Sequence, residues 1–180
     1  MGDSMSSISI LGDTSGSVLL QAPAVAGSTT LTLPATTGTL ALASTIPAFS
    51  AYSNTSQSVT SSAYAKVLFD TEEFDTNNNF ASSRFTPTVA GYYQLSTMVA
   101  WLSVSANVVF ITLYKNGSVV KHLSRTPKTA QYIWMTGSTL VYANGTDYFE
   151  IYAYQDSGST MTIDSGIGYT WFNGCLMRPA

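Results

Sequence analysis

From residue 48 onward the chain alternates apolar and polar side chains with a period of two, a pattern set by a strand that buries one face. Its clearest stretch is 90–102, where Tyr93, Leu95, Thr97, Val99 and Trp101 fall on one side. Tyr92, Gln94, Ser96, Met98 and Ala100 fall on the other. Ahead of it, Arg84-Phe85-Thr86-Pro87-Thr88-Val89-Ala90-Gly91 reads as a short strand and a corner. Pro87 fixes φ there, and Gly91 is expected to supply a positive φ. Similar runs recur at intervals of roughly 8 to 15 residues, the cadence of an all-β sandwich. They predict strands near 48–53, 64–70, 80–86, 90–102, 107–115, 117–123, 131–142, 147–155, 160–164 and 167–177. Asn116-Gly117 and Asn144-Gly145 each predict a two-residue hairpin turn. No window holds a 3.6 period, so helix is not expected.

Residues 1–46 have a different texture. They hold no aromatic residue, and Asp3 and Asp13 are their only charges. Short strand-like pieces at 17–20, 30–33 and 39–42 are separated by Gly16, Pro23, Gly27, Pro34 and Gly38. A segment of about 40 residues without an aromatic side chain orders by intertwining with copies or by docking on a partner. A flexible leader is the alternative. Pro47 holds Ile46 extended and marks the boundary, giving a stem over 1–46 and a knob over 47–180.

Composition narrows the function. Charged residues make up only 9% of the chain, against about a quarter in ordinary soluble domains, and Ser and Thr take their place. Such a surface favours burial in an assembly. Seven Lys plus Arg, a net charge of −3 and a pI near 4.8 argue against nucleic acid as a partner. The longest apolar run, 108–114, is far too short for a membrane-spanning helix. One cysteine, Cys175, excludes an internal disulfide. The first residues lack the basic and apolar regions of a secretory signal, which predicts synthesis in a cytoplasm.

Two resemblances sharpen this. Thr14-Ser15-Gly16-Ser17-Val18-Leu19-Leu20-Gln21-Ala22-Pro23-Ala24-Val25-Ala26-Gly27-Ser28-Thr29-Thr30-Leu31-Thr32-Leu33-Pro34, followed by Thr37-Gly38-Thr39-Leu40, is similar to a motif of bacteriophage structural proteins. There it precedes the distal domains of tail fibres, head fibres and related appendages. The remainder resembles the globular head of the q subunit of the first complement component, a jelly roll shared with tumour necrosis factor. Val67-Leu68-Phe69-Asp70 through Phe74, then Asn79-Phe80 and Arg84 to Tyr93, follows that family's central signature. Leu113-Tyr114-Lys115-Asn116-Gly117 fits its mid-domain hairpin, and Thr170-Trp171-Phe172-Asn173-Gly174-Cys175-Leu176 its closing strand. The acidic, Asn-rich stretch after Asp70 and the residues around 124–130 depart from the pattern. The resemblance implies an all-β jelly roll of about ten strands that forms a homotrimer.

Candidate chemistry is sparse. In 148–154, Phe149, Ile151 and Ala153 serve a core, leaving Tyr148, Tyr152 and Tyr154 as candidates for the trimer interface, for second-layer packing or for a ligand platform. The acids Asp70, Glu72 and Asp75, followed by Asn77, Asn78 and Asn79, form a weak calcium candidate. Their spacing is not that of an EF-hand, and a solvated loop is the simpler reading. The single histidine, His122, sits among Lys115, Lys121, Arg125 and Lys128 and reads as an exposed strand residue. Cys175 reads as a small buried hydrophobe, and Trp101 and Trp171 as core. No nucleophile motif accompanies the serines, so no catalytic residue, cofactor or metal is expected. Receptor-binding residues are not legible.

Taken together, the sequence predicts a trimeric knob on a virion appendage, attached to other virion proteins through residues 1–46. Its expected partner is a host surface saccharide or protein. A head fibre or capsid decoration protein is the alternative, and an enzyme degrading envelope polysaccharide a remote one.

Overall fold

In a computed structural model, which describes residues 7–11, 13–21, 27, 30, 46–102, 106–127 and 132–180, the alternating runs form strands and no described residue is helical. The chain falls into two units, Met1–Leu40 and Ala41–Ala180. The first contains an antiparallel hairpin of β1 (Ser7–Leu11) and β2 (Ser17–Gln21), paired from Ser7↔Gln21 to Leu11↔Ser17. Ile8, Ile10, Leu11 and Leu19 are exposed on it. The expected strand at 17–20 is thus β2, while those at 30–33 and 39–42 lie outside the described residues.

The second unit contains β3 (Ala48–Tyr52), β4 (Gln57–Val59), β5 (Ala63–Lys66), β6 (Thr71–Asp75), β7 (Phe80–Ala81), β8 (Arg84–Phe85) and β9 (Gly91–Trp101). These are followed by β10 (Val108–Lys115), β11 (Ser118–Pro127), β12 (Ile133–Ala143), β13 (Phe149–Gln155), β14 (Met161–Ile163) and β15 (Trp171–Pro179). In the first, seven-stranded sheet the order is β4-β14-β9-β15-β3-β6, with β12 on the other side of β9. The second, six-stranded sheet runs β11-β10-β13-β8-β7, with β5 also on β13. All described pairings are antiparallel, and apart from the β10–β11 and β7–β8 hairpins most neighbours within a sheet come from distant parts of the chain. That is jelly-roll connectivity.

The two inner faces meet in one core. Tyr93, Leu95, Val99 and Trp101 of β9 are buried as the alternation requires, opposite Val109, Ile111, Leu113, Phe149 and Ile151. Phe49 of β3 reaches across, its ring stacked 4.2 Å from Phe85 and 5.0 Å from Phe80. The Tyr93 hydroxyl donates to the Val89 carbonyl at 2.7 Å and ties down the corner before β9. Burial pushes that hydroxyl up to about 12, so it stays a neutral donor.

Three local expectations are corrected. The single strand foreseen at 64–70 is two, because the chain crosses between sheets there: β5 pairs with β13 and β6 with β3. The crossing amides are satisfied one at a time, Val67 N–H by the Ile151 carbonyl, Leu68 N–H by Gln57 Oε1 and Phe69 N–H by Ser83 Oγ. Gly91 has no positive φ; a Cβ there would lie 2.5 Å from the Arg178 carbonyl oxygen and 2.6 Å from Leu176 Cδ1. The glycine is required by close packing of β15. Asn116-Gly117 is the expected hairpin turn between β10 and β11, with φ of 52° and 77°. Asn144-Gly145 is instead a corner between sheets. Asn144 Oδ1 accepts from the amides of Thr146 and Asp147, turning the chain out of β12 before β13 begins.

At one edge the sandwich closes tightly. Lys121 of β11 donates to Thr139 Oγ1 of β12 at 2.7 Å. A Cβ on Gly137 would lie 2.5 Å from Leu123 Cβ. Overpacking of this kind costs about 1–3 kcal/mol. Gly137→Ala should therefore lower the unfolding free energy measured in urea by that amount, and the loss should shrink in a Leu123→Gly background, which removes the Cβ it meets. An additive double mutant would show that the two strands do not approach so closely.

Candidate functional site

Two outward sheet faces, rather than a deep cleft, carry the side chains available for recognition. Both described depressions are open: one of about 380 Å³ beside Leu68, Asp70 and Ser83, and one of about 290 Å³ over Ser50, Ser96 and Asn173.

The outward face of the first sheet follows from register. Tyr92, Gln94, Ser96, Met98 and Ala100 of β9 stand beside Tyr142, Leu140, Ser138, Thr136 and Trp134 of β12. On the other flank Trp171 pairs with Met98, Asn173 with Ser96, and Cys175 with Gln94. Among these outward positions on β12, β9 and β15 the only formal charge is Arg178, beside Tyr92. Trp134 is 60% exposed, Met177 62% and Leu140 50%. Cys175 and Trp171 belong to this face and are half-exposed. The expectation that both are core is corrected: each lies one residue out of phase with buried Phe172 and Leu176.

The outward face of the second sheet is more polar. Tyr152 and Tyr154 project from it, as the alternation of β13 dictates. Tyr152 stacks on Tyr114 at 4.0 Å, and Tyr154 packs on Tyr64 at 5.1 Å and Phe110 at 5.7 Å. Tyr148 precedes β13 and lies under the Arg84 guanidinium, 3.8 Å from its ring centroid. Burial pushes up the hydroxyls of Tyr114 and Tyr152, with neighbouring Tyr64 adding to the first and Glu150 to the second. His122 lies on the same face, exposed, its Nδ1 sharing a 3.0 Å hydrogen bond with Thr112 Oγ1. None of its described hydrogen bonds is to a carboxylate, which a catalytic base oriented for nucleophile activation requires.

Glu150 anchors this face and is 2% exposed. Its Oε1 accepts from Lys66 Nζ at 2.8 Å and from Arg84 at 2.9 Å. Burial opposes its ionisation, but the hydrogen bonds and charges of Lys66 and Arg84 prevail and hold the carboxyl below its ordinary value of 4.5. Asp147 is similar: burial works against its charge, while Lys115, Asn116 and the Asn144 amide hold its carboxyl low.

The calcium candidates are not brought together. Asp70 Oδ1 accepts from the Asn54 amide, Asp75 accepts from the amides of Asn77 and Phe80, and Glu72 is exposed on β6. Among the described residues no three acid, His or Cys side chains converge on a point. The contributions of Tyr64, Phe110 and Tyr114 escaped the sequence reading because they come from other strands. The alternation of Phe110, Thr112 and Tyr114 was the available signal.

No family model and no curated protein matches this chain. Solved structures do. The globular domain of zebrafish complement 1qA protein superposes with a TM-score of 0.54 at 18% identity, covering 74% of this chain and 98% of that one. Murine APRIL gives 0.57 at 10% identity over 73% and 99%. The Eiger TNF of S. frugiperda gives 0.58 at 8% over 75% and 94%. The chain therefore has the jelly-roll fold of the complement-q and tumour necrosis factor domains.

The Glu150 cluster makes stability acid-sensitive. Its folded pKa lies below 4.5, so its contribution is complete above the unfolded value and is lost as pH falls through the folded one. Glu150→Gln should flatten the fall in melting temperature below about pH 4.5. It should also cost roughly 2 kcal/mol at pH 7, less than a fully buried pair because Arg84 is partly solvated. An unchanged acid profile in that variant would refute the assignment.

Proposed function

We propose that the chain is the knob of a receptor-binding appendage on a bacteriophage virion, and that it works as a homotrimer. The observation that carries this reading is the outward face of β12, β9 and β15. A nearly uncharged face with Trp134, Leu140, Tyr142 and Tyr92 exposed on either side of a central Ser96–Ser138–Asn173 band is one that monomers seldom leave in water. Its outward positions on these three strands carry a single formal charge, Arg178, so little like-charge repulsion opposes contact between copies. Self-contact is placed here rather than on the side of Tyr148, Tyr152 and Tyr154, whose rings are already half-covered by their own sheet. The exposed apolar side chains of the β1–β2 hairpin support the same view of residues 1–46, since an isolated hairpin is marginally stable. The resemblance of 14–40 to phage appendage sequences supports the virion location. Three copies offer three equivalent sites, and weak contacts then gain strength through effective concentration.

Light scattering should give a mass about three times the 19.2 kDa of one chain, and Trp134→Glu with Leu140→Glu should reduce it to the monomer without loss of strand content. A monomer at micromolar concentration in the unaltered protein would overturn the assembly. Purified protein added to host cells before phage should block adsorption. Failure to bind or block on a susceptible host would instead favour a head fibre or capsid decoration protein.

A further inference from the structure

The second sheet concentrates charge of one sign. Its strands carry Lys66, Arg84, Lys115, Lys121 and Arg125, five of the chain's seven Lys and Arg residues. Glu150 is the one acid on the same strands, in a chain whose net charge is −3. Glu150 spends its single charge on two cations, Lys66 and Arg84. Of the flanking acids, Asp147 is paired with Lys115 at 2.7 Å and Asp156 accepts the Val108 amide.

Between Arg125 at one end and the Lys66–Arg84 pair at the other runs an unbroken series of rings. Arg125 lies 5.6 Å from the Phe110 centroid. Phe110 contacts Tyr154, Tyr154 contacts Tyr64, and Tyr64 lies 6.0 Å from Tyr114, which stacks on Tyr152. The rings brace one another, so the platform is set before anything binds, which lowers the cost of binding. Tyrosines join an apolar face to a hydroxyl, the combination that suits a sugar ring with C–H groups on one side and hydroxyls at its edge. Guanidinium groups pair with carboxylates in a bidentate fork.

We propose that this face binds an acidic saccharide, a chain bearing uronate- or sialate-type carboxylates, with sugar rings on the Tyr64–Tyr154–Phe110 platform and carboxylates at Arg125 and Arg84. It deepens the receptor-binding reading and rests on it for biological meaning. The chemistry of the face is independent of that reading.

The test uses the full chain and three probes, alginate, polygalacturonate and polysialate, each before and after reduction of its carboxyls to alcohols. Binding is followed by calorimetry at moderate salt. At least one acidic probe should bind, and carboxyl reduction should weaken it by about ten-fold, the equivalent of 1.4 kcal/mol. Arg125→Ala and Tyr64→Ala, both at exposed positions, should each weaken it about five-fold with an unchanged circular dichroism spectrum. The proposal falls if no acidic probe binds, if the reduced probes bind equally well, or if both variants bind as tightly as the parent. Blocked adsorption that is abolished by protease treatment of the host, and not competed by acidic saccharide, would also overturn it while leaving receptor binding intact. Conversely, saccharide binding that depends on Arg125 and Tyr64, in a protein that blocks adsorption on no host, would uphold the platform and remove the receptor role.

Discussion

The position of Phe49 is the constraint on which the two-sheet arrangement depends. It enters from β3 in the first sheet and stacks on Phe85 and Phe80 from the second, while Phe172 of its own sheet meets it edge-on at 5.0 Å. Fully burying such a ring is worth about 1.5–3 kcal/mol, and each aromatic pair adds roughly 0.5–1.5 kcal/mol. One side chain thus fixes the spacing of the sheets and the corner that leads into β9. Because β7 and β8 are only two residues each, this packing, rather than ladder hydrogen bonds, holds that part of the second sheet.

Once the inner faces are joined, the outer faces are free to differ, and they do. The first sheet presents almost uncharged side chains, with Trp134 near one end and the Tyr92–Tyr142 ring pair, 5.5 Å apart, at the other. The second presents rings leaning together among cations. A surface of the first kind gains most by meeting another apolar surface, and one of the second kind by meeting something amphipathic and negatively charged. The proposed division of labour between assembly and recognition rests on alternation on two strands, β9 and β13, whose inward positions both serve the core.

The core was legible because burial on one face writes itself into every second residue. Tyr93 to Trp101 and Phe149 to Ala153 could be assigned before any coordinate was known. Asn116-Gly117 was legible because only residues tolerant of positive φ close a two-residue hairpin. Asn144-Gly145 misled: the same dipeptide turns a corner when Asn144 and Asp147 bind the loop amides. Which strands flank a turn is a tertiary matter. The crossing at 67–70 was missed for a similar reason, since its amides are met singly by the Ile151 carbonyl, Gln57 Oε1 and Ser83 Oγ, which no local pattern announces.

Sequence alone determined the class of fold, the inward set of each long strand, and the exclusion of disulfides and of a long apolar span, because these depend on local period and composition. Tertiary structure decided which outward residues are neighbours. Tyr154 lies beside Tyr64 and Phe110, and Trp134 lies beside Ala100 on the face of Tyr92, because register joins strands far apart along the chain. Alternation says which way a side chain points, whereas pairing says what it touches. A binding surface is made of the second kind of information.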